Sequence, residues 1–563
     1  MINSLHLSVW FVSHQWREDC VRCLSDLYNS TMKALLVLLL SIYGIESSHR
    51  MDPLVSTPRG LVRGQQASDG DYDMFLAVPY GEVDQDNPFG DAKPHQGFTT
   101  TFDATKDSPL CPQVSSDHPT GNLKCLTLNI YVPHTATSSN KLPVMFYLPG
   151  GAFVINNARK SNLGPKYLTR HDVVVVTAQY RVGVYGFLCI DIPGFNNQGI
   201  KDQILALKWI RDNIGSFGGD ATKVTAFGNS AGAMSLDFHL LINEGLFQRV
   251  IMQSGAVLSP WVIGKMNNSI PIDMAKALDF ETKDVEQALN HLKTAEISDV
   301  VRAANDLGII NHDWHPLTKL CVEKESKTAL ITEHPIKLKP KVKNIDLMIG
   351  TAVREVAFKY PSTDESFYEN YSFNEELDQA FDEGINEDDV KHFYIDDRVP
   401  GLNTKGEILD FASDMAFVYP VERSIRRYLE ENAKSVYWYL FAYEGGRNRV
   451  SRRLNGTAGA TAHGDDTAYL WSMDSLPEEP TAEDQKTIDV MTKLWTDFAK
   501  FGNPTPSGPT DLIPVTWESI KDDHRPYLLI NSTLSLENRP FSKRLAFWDV
   551  YYKLHSDKIK GNK

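Results

Sequence analysis

The sequence predicts an α/β protein whose large central sheet is mostly parallel and covered by helices on both faces. Short apolar, β-branched or aromatic runs bounded by turn residues recur along the chain. They are apolar at consecutive positions rather than alternate ones, as strands buried on both faces must be. Longer segments with helical spacing lie between them, the alternation that crossover connections between parallel strands require. No Gly/Ser-rich or Pro-rich linker, internal repeat or low-complexity tract divides the 563 residues, so one domain with long insertions is expected over residues 48–563.

Taken in order, the strand runs are "LPVMFYLPGG" from Leu142, "DVVVVTAQYRVG" from Asp172, "KVTAFGNS" from Lys223, "NIDLMIGT" from Asn344 and "SVYWYLFAYEGG" from Ser435. The helical segments include "KDQILALKWIRDNIGSF" from Lys201, "AMSLDFHLLI" from Ala233 and "DVMTKLWTDFAKFG" from Asp489. In open α/β sheets functional groups gather beyond the carboxyl ends of the strands, so each strand exit is where chemistry is sought.

The balance of 57 basic and 72 acidic residues gives a formal charge of −15, with no Lys/Arg-rich block, so nucleic acid is not an expected partner. A targeting segment starts inside the chain: Met32 and Lys33 precede "ALLVLLLSIYG", followed by Ser47 and Ser48. This is the layout of a secretory signal over residues 32–47 with cleavage near Ser47, which makes residues 1–31 an upstream extension outside the fold. The alternative is an internal anchor helix, but the apolar run falls short of the roughly 20 residues a bilayer requires, so no stable membrane anchor is expected. The tail "YYKLHSDKIKGNK" has neither an anchor pattern nor a retention signal, and the expected location is extracellular.

Cys20 and Cys23 would be lost with the signal, leaving Cys111, Cys125, Cys189 and Cys321. The first two fall in a polar stretch suited to a short-loop disulfide in an oxidising compartment. Cys189, after "VGVYGFL", reads as a buried thiol. Asn267, Asn370, Asn455 and Asn531 open Asn-X-Ser/Thr acceptor sites for glycosylation.

"FGNSAGA" supplies the strongest chemical signal, because Ser230 lies between a strand run and a helical run. Gly228 and Gly232 permit the tight turn that projects a serine hydroxyl, and the N–H of Ala231 heads the following helix. At another strand exit Gly150, Gly151 and Ala152 form a loop of minimal side chains whose amides could join Ala231 around an oxyanion. An acid and a base are sought further along, in the order nucleophile, acid, histidine. Glu355 stands just beyond "NIDLMIG", and His463 lies in the small-residue loop "GTAGATAHGDDTAYLW". Asp465 and Asp466 are near His463, but neighbours so close rarely fold back onto their own imidazole, which favours Glu355 as the acid.

With these residues stand "FLAVPYG", "FDATKDSPLCPQ", "CLTLNIYVP", "QYRVGVYGF", "DQILALKWIRDNIGSFGGD", "IMQSGA", "GTAVREVAF" and "HGDDTAYLW". From about residue 55 to 550 the chain thereby resembles the carboxylesterase/cholinesterase family of α/β-hydrolases, most closely its secreted insect-type carboxylesterases. The resemblance implies a deep gorge over the sheet, a Ser230–Glu355–His463 triad and an oxyanion hole of Gly151, Ala152 and Ala231. It also implies a Cys111–Cys125 disulfide and an acyl pocket lined by Trp261. No metal and no organic cofactor are implied; the expected partner is a small-molecule ester.

Four departures from the family pattern stand out. Asn229 occupies a position often held by Glu, or by Gln in juvenile hormone esterases. Pro149 replaces a usual His or Tyr. Pro88 and Leu123 stand where a buried Arg–Glu pair is common, so both partners are absent together, which is milder than stranding one charge. No tryptophan lies between Cys111 and Cys125, which argues against an acetylcholinesterase. The expected function is a secreted serine carboxylesterase that clears xenobiotic, odorant or hormone esters. The alternatives are a weak or inactive esterase-like binding or adhesion protein and, more narrowly, a juvenile hormone esterase-like enzyme. Residues 260–320 and 360–410 carry no readable motif, and the sequence is silent on the natural ester and the oligomeric state.

Overall fold

The strand Leu142–Leu148 sends Val144, Phe146 and Leu148 into one apolar core and Met145 and Tyr147 into another. Val174–Ala178 divides likewise, with Val174 and Val176 on one side and Val175 on the other. So does Ser435–Phe441, where Val436 and Trp438 oppose Tyr437, Tyr439 and Phe441. Successive strand side chains point to opposite faces, so a sheet with two covered faces needs apolar residues at every position. A fully buried Val, Leu, Ile or Phe contributes about 1.5–3 kcal/mol. The computed structural model describes residues 52–242, 244–310, 316–454, 459–476, 478–521 and 524–562. The extension and the signal assigned to residues 1–47 lie outside the described residues, as does Asn455.

Eleven strands form the main sheet: β1 (Gln65–Gln66), β2 (Tyr72–Pro79), β3 (Thr127–Pro133), β4 (Leu142–Leu148), β5 (Val174–Ala178), β6 (Gly219–Asn229), β7 (Arg249–Gln253), β8 (Asp346–Ala352), β9 (Ser435–Phe441), β10 (Pro526–Ile530) and β11 (Ser535–Asn538). Their spatial order is β11-β10-β9-β8-β7-β6-β4-β5-β3-β2-β1. From β5 through β10 the neighbours pair in parallel, and both edges turn antiparallel. The order reverses direction around β4, placing the exits of β4 and β6 side by side, Leu148 opposite Gly228.

Helices cover the faces, among them α1 (Gln198–Asn213), α2 (Ala231–Ile242), α3 (Tyr419–Glu430) and α5 (Ala482–Phe501), while the short α4 (Arg449–Arg453) packs on the turns that follow β8 and β9. In α2 every residue from Ala231 to Leu241 is buried, so the helix carries its own polar anchors. Asp237 accepts hydrogen bonds from Val257 N–H (2.8 Å), Ser424 Oγ (2.9 Å) and Tyr428 Oη (2.6 Å), which fixes α2 to α3. At the start of α5 Thr481 Oγ1 accepts from Asp484 N–H at 3.1 Å, and Gly502 ends the helix at φ 69°.

Cys111 and Cys125 are joined by a disulfide, closing a 14-residue separation. Cys189 is not a free buried thiol as its sequence setting suggested: it is disulfide-bonded to Cys321, 132 residues away. Asn197 explains the approach, since its Oδ1 accepts from Cys321 N–H and its Nδ2 donates to Cys321 O, both at 2.9 Å, holding that segment against residue 189. A buried cation from elsewhere in the chain lies beside Pro88. Fully buried Arg181 pairs with Asp202 at 2.8 Å and donates through Nη1 to the carbonyls of Pro88 (3.0 Å) and Gly90 (2.7 Å). Among the described residues no helix is long and apolar enough to cross a membrane.

Candidate active site

Ser230 stands alone between the last residue of β6 and the first of α2, at φ 57°. A left-handed serine here is strained by about 1–3 kcal/mol, and the surrounding packing imposes it. Its N–H donates to Gln253 O at 2.8 Å, tying the turn to β7, and its carbonyl accepts from Met234 N–H at 2.9 Å. The flanking glycines are there for space: a Cβ at Gly232 would lie 2.0 Å from Leu148 O, and one at Gly228 2.8 Å from the same oxygen. Larger residues would push β6 and α2 off β4 and displace the hydroxyl.

The loop leaving β4 reaches the same turn. A Cβ at Gly150 would meet Asn229 O at 2.5 Å, so the two chains touch through backbone. Gly151, Ala152 and Phe153 follow at φ 133°, 51° and 64°, a run of positive angles that turns consecutive amides inward. Among the described residues no protein acceptor receives the N–H of Gly151, Ala152 or Ala231. Pro149 is fixed through its carbonyl, which accepts from Tyr180 Oη at 2.6 Å. The rigid loop thus has an anchor independent of side chains at position 149.

Glu355 opens a short turn after β8 and is completely buried. One oxygen, Oε1, accepts from Ser254 Oγ and from Ala352 N–H, each at 2.7 Å; the other, Oε2, lies 2.7 Å from His463 Nδ1. His463 N–H also donates to Glu355 O at 3.2 Å. A carboxylate with all its donors in place fixes the imidazole ring and the tautomer protonated at Nδ1. Asp465 and Asp466, set aside in the sequence reading, make other contacts. Asp465 accepts from Val450 and Ala462 N–H at 2.8 Å, and Asp466 accepts from Gln253 Nε2 (2.8 Å) and Tyr439 Oη (3.1 Å). Burial pushes the Asp466 carboxyl up to about 6.

Ser230, His463, Gly151, Ala152 and Asn229 line one cavity of about 800 Å³. This volume lies within the range of sites that enclose a small organic molecule. Phe417 covers the His463 ring at a centroid distance of 4.7 Å and Phe358 lies 5.8 Å from it. Phe417 belongs to a π-helical turn, Asp414–Val418, inserted ahead of α3. Trp261 stands one ring further back, buried against Phe153 and Phe417 at 6.5 and 6.3 Å, and is not among the residues lining this cavity. Asn370 and Asn531 are exposed and Asn267 is half-buried.

Three residues at the site carry no signal in the sequence. Ser254, inside "IMQSGA", reaches Glu355 because it leaves β7 at φ 53° with its N–H on Gly350 O at 2.8 Å. Phe417 falls in a segment without a motif. Arg449, at the start of α4, lines the cavity from outside the motifs named above.

A doubly covered parallel sheet, a strand–serine–helix turn at its switch point and a histidine–carboxylate pair on neighbouring strand exits define an α/β-hydrolase. The chain belongs to the carboxylesterase family, whose model matches residues 51–548. It is 29% identical to a juvenile hormone esterase of Tribolium castaneum over 81% of this chain and 84% of that protein. It is also 29% identical to esterase FE4 of Myzus persicae, over 78% and 82%, and to human bile salt-activated lipase, over 88% and 69%. Membership makes the protein a carboxylic ester hydrolase acting on small ester substrates.

Proposed function

We propose that the chain is a secreted serine carboxylesterase that hydrolyses carboxylic esters through an acyl-enzyme on Ser230. The observation that carries this reading is the Glu355–His463 hydrogen bond of 2.7 Å, in a cavity shared with Ser230 and three amides without protein acceptors. In the proposed reaction Ser230 Oγ attacks the ester carbonyl while His463 Nε2 takes its proton. The N–H groups of Gly151, Ala152 and Ala231 hold the tetrahedral oxyanion, each essential donor lowering the barrier by about 3–4 kcal/mol. Glu355 stabilises the imidazolium. His463 then protonates the departing alcohol, and water repeats the sequence on the acyl-enzyme.

Two disulfides among the described residues support secretion, since such bonds persist in oxidising compartments. Likeness to the Tribolium juvenile hormone esterase supports a hormone ester as one narrower substrate class. Trp261 as an acyl-pocket wall and Asn267, Asn370, Asn455 and Asn531 as glycan acceptors belong to the same proposal. The test is Ser230→Ala on secreted protein with a short-chain aryl ester. Turnover should vanish while the thermal unfolding midpoint holds; retention of most of the activity would end the assignment. Peptide-N-glycosidase treatment of secreted material should lower its mass if the acceptor sites are used.

A further inference from the structure

The cavity above Ser230 is cationic in a protein of net charge −15. Arg449 and Arg453 line it, and among the described residues no Asp or Glu does. The neighbouring arginines are satisfied by protein: Arg447 Nε donates to Ala468 O at 3.0 Å, and Arg452 Nη1 to Gly446 O at 2.7 Å. The two that face the cavity are not. Arg449 Nε is buried without a hydrogen-bond acceptor, and neither guanidinium forms an ion pair among the described residues. Asp465 is near Arg449, but its oxygens are occupied by the N–H groups of Val450, Ser451 and Ala462 and by Ser451 Oγ. Burial and then the adjacent Arg453 push the Arg449 guanidinium below its ordinary range. An anion entering the cavity would offset the repulsion from Arg453.

We infer that Arg449, assisted by Arg453, recognises a negatively charged group on the ester, so that the preferred substrates are esters carrying an ionised acid. The inference rests on the proposed reaction at Ser230 and specifies its substrate class. A guanidinium held in a partly water-excluded wall, with its donors free, is suited to bidentate capture of a carboxylate or a similar oxyanion. The acid can sit on either side of the scissile bond.

The test uses matched pairs that differ only in charge: mono-4-nitrophenyl adipate against 4-nitrophenyl adipamate, and 3-acetoxybenzoate against 3-acetoxybenzamide. Initial rates are corrected for uncatalysed hydrolysis. At low ionic strength the wild type should favour the acid in at least one pair by about tenfold in kcat/KM, with the preference shrinking as salt is added. Arg449→Gln should lower that acid-to-amide ratio by about ten- to a hundredfold, the worth of a hydrogen bond to an ionised group, and Arg449→Lys should restore part of it. Equal or lower rates for the acid in both pairs, or an unchanged ratio in Arg449→Gln, would overturn the inference. Ser230→Ala separates the two readings. If it still hydrolyses the uncharged esters, the nucleophile assignment fails; if it does not and the wild type shows no charge preference, only the anionic substrate class fails.

Discussion

Glu355→Gln exchanges one oxygen for an NH2 group at constant size, and the surrounding donors decide which oxygen is lost. At the Oε1 position two donors converge, Ser254 Oγ and Ala352 N–H, each at 2.7 Å. The hydroxyl can rotate to accept, but the main-chain N–H cannot. An NH2 placed there would oppose a fixed donor in a completely buried site, leaving an unmet donor that costs about 1–3 kcal/mol. The amide should therefore put its NH2 at the Oε2 position, 2.7 Å from His463 Nδ1. Facing a donor, Nδ1 must become the unprotonated nitrogen, which places the proton on Nε2 and removes the base from Ser230. The expected loss in kcat/KM is about 10⁴-fold, or about 5.5 kcal/mol of transition-state stabilisation. Steady-state hydrolysis of an aryl ester measures it, and unfolding by urea should show the fold intact. A variant within tenfold of wild type would refute the argument that Glu355 sets the tautomer.

Replacing Cys189 and Cys321 together by alanine releases a link across 132 residues, and the chain-entropy model gives a loss of about 5 kcal/mol. Urea unfolding of the variant against wild type checks it, and an unchanged midpoint would contradict it. Gly232→Ala puts a methyl group 2.0 Å from Leu148 O. Relief requires a shift of strand or helix, so active-serine titration should show at least about a hundredfold slower acylation of the protein that folds; a wild-type rate would contradict it. His239, buried in α2 with Nε2 2.9 Å from Gln203 Oε1, is pushed down to about 3 by burial. Below its ordinary value of about 6.5 the unfolded chain takes up the proton first. Stability should therefore fall from about pH 6.5 toward 3 by up to about 1.4 kcal/mol per pH unit from this residue. His239→Gln should flatten that slope, and an identical slope would exclude His239 as a contributor.

The fold was legible because doubly buried strands leave uninterrupted apolar runs, as "DVVVVTA" did for β5. The turn that carries Ser230 was legible because it demands glycines two residues away on each side, and the contact of Glu355 with His463 followed from seeking an acid and a base at later strand exits. What escaped depends on contacts distant in sequence. The partner of Cys189 is set by Asn197, whose side chain reaches a segment 124 residues on. Ser254 is an ordinary serine until its positive φ turns it onto Glu355. Arg449 and Arg453 stand outside every motif named in the sequence, and only the folded chain brings them to the cavity. The buried cation beside Pro88 escaped as well, because Arg181 reaches that carbonyl from a different strand exit.

The most direct test of the account is covalent labelling of secreted protein with a fluorescent organophosphonate, followed by peptide mapping and parallel rate measurement. One adduct is expected, on the peptide containing Ser230, with hydrolysis lost in proportion to labelling and no adduct in Ser230→Ala. Full labelling at another residue, or turnover that persists after Ser230 is blocked, would contradict it.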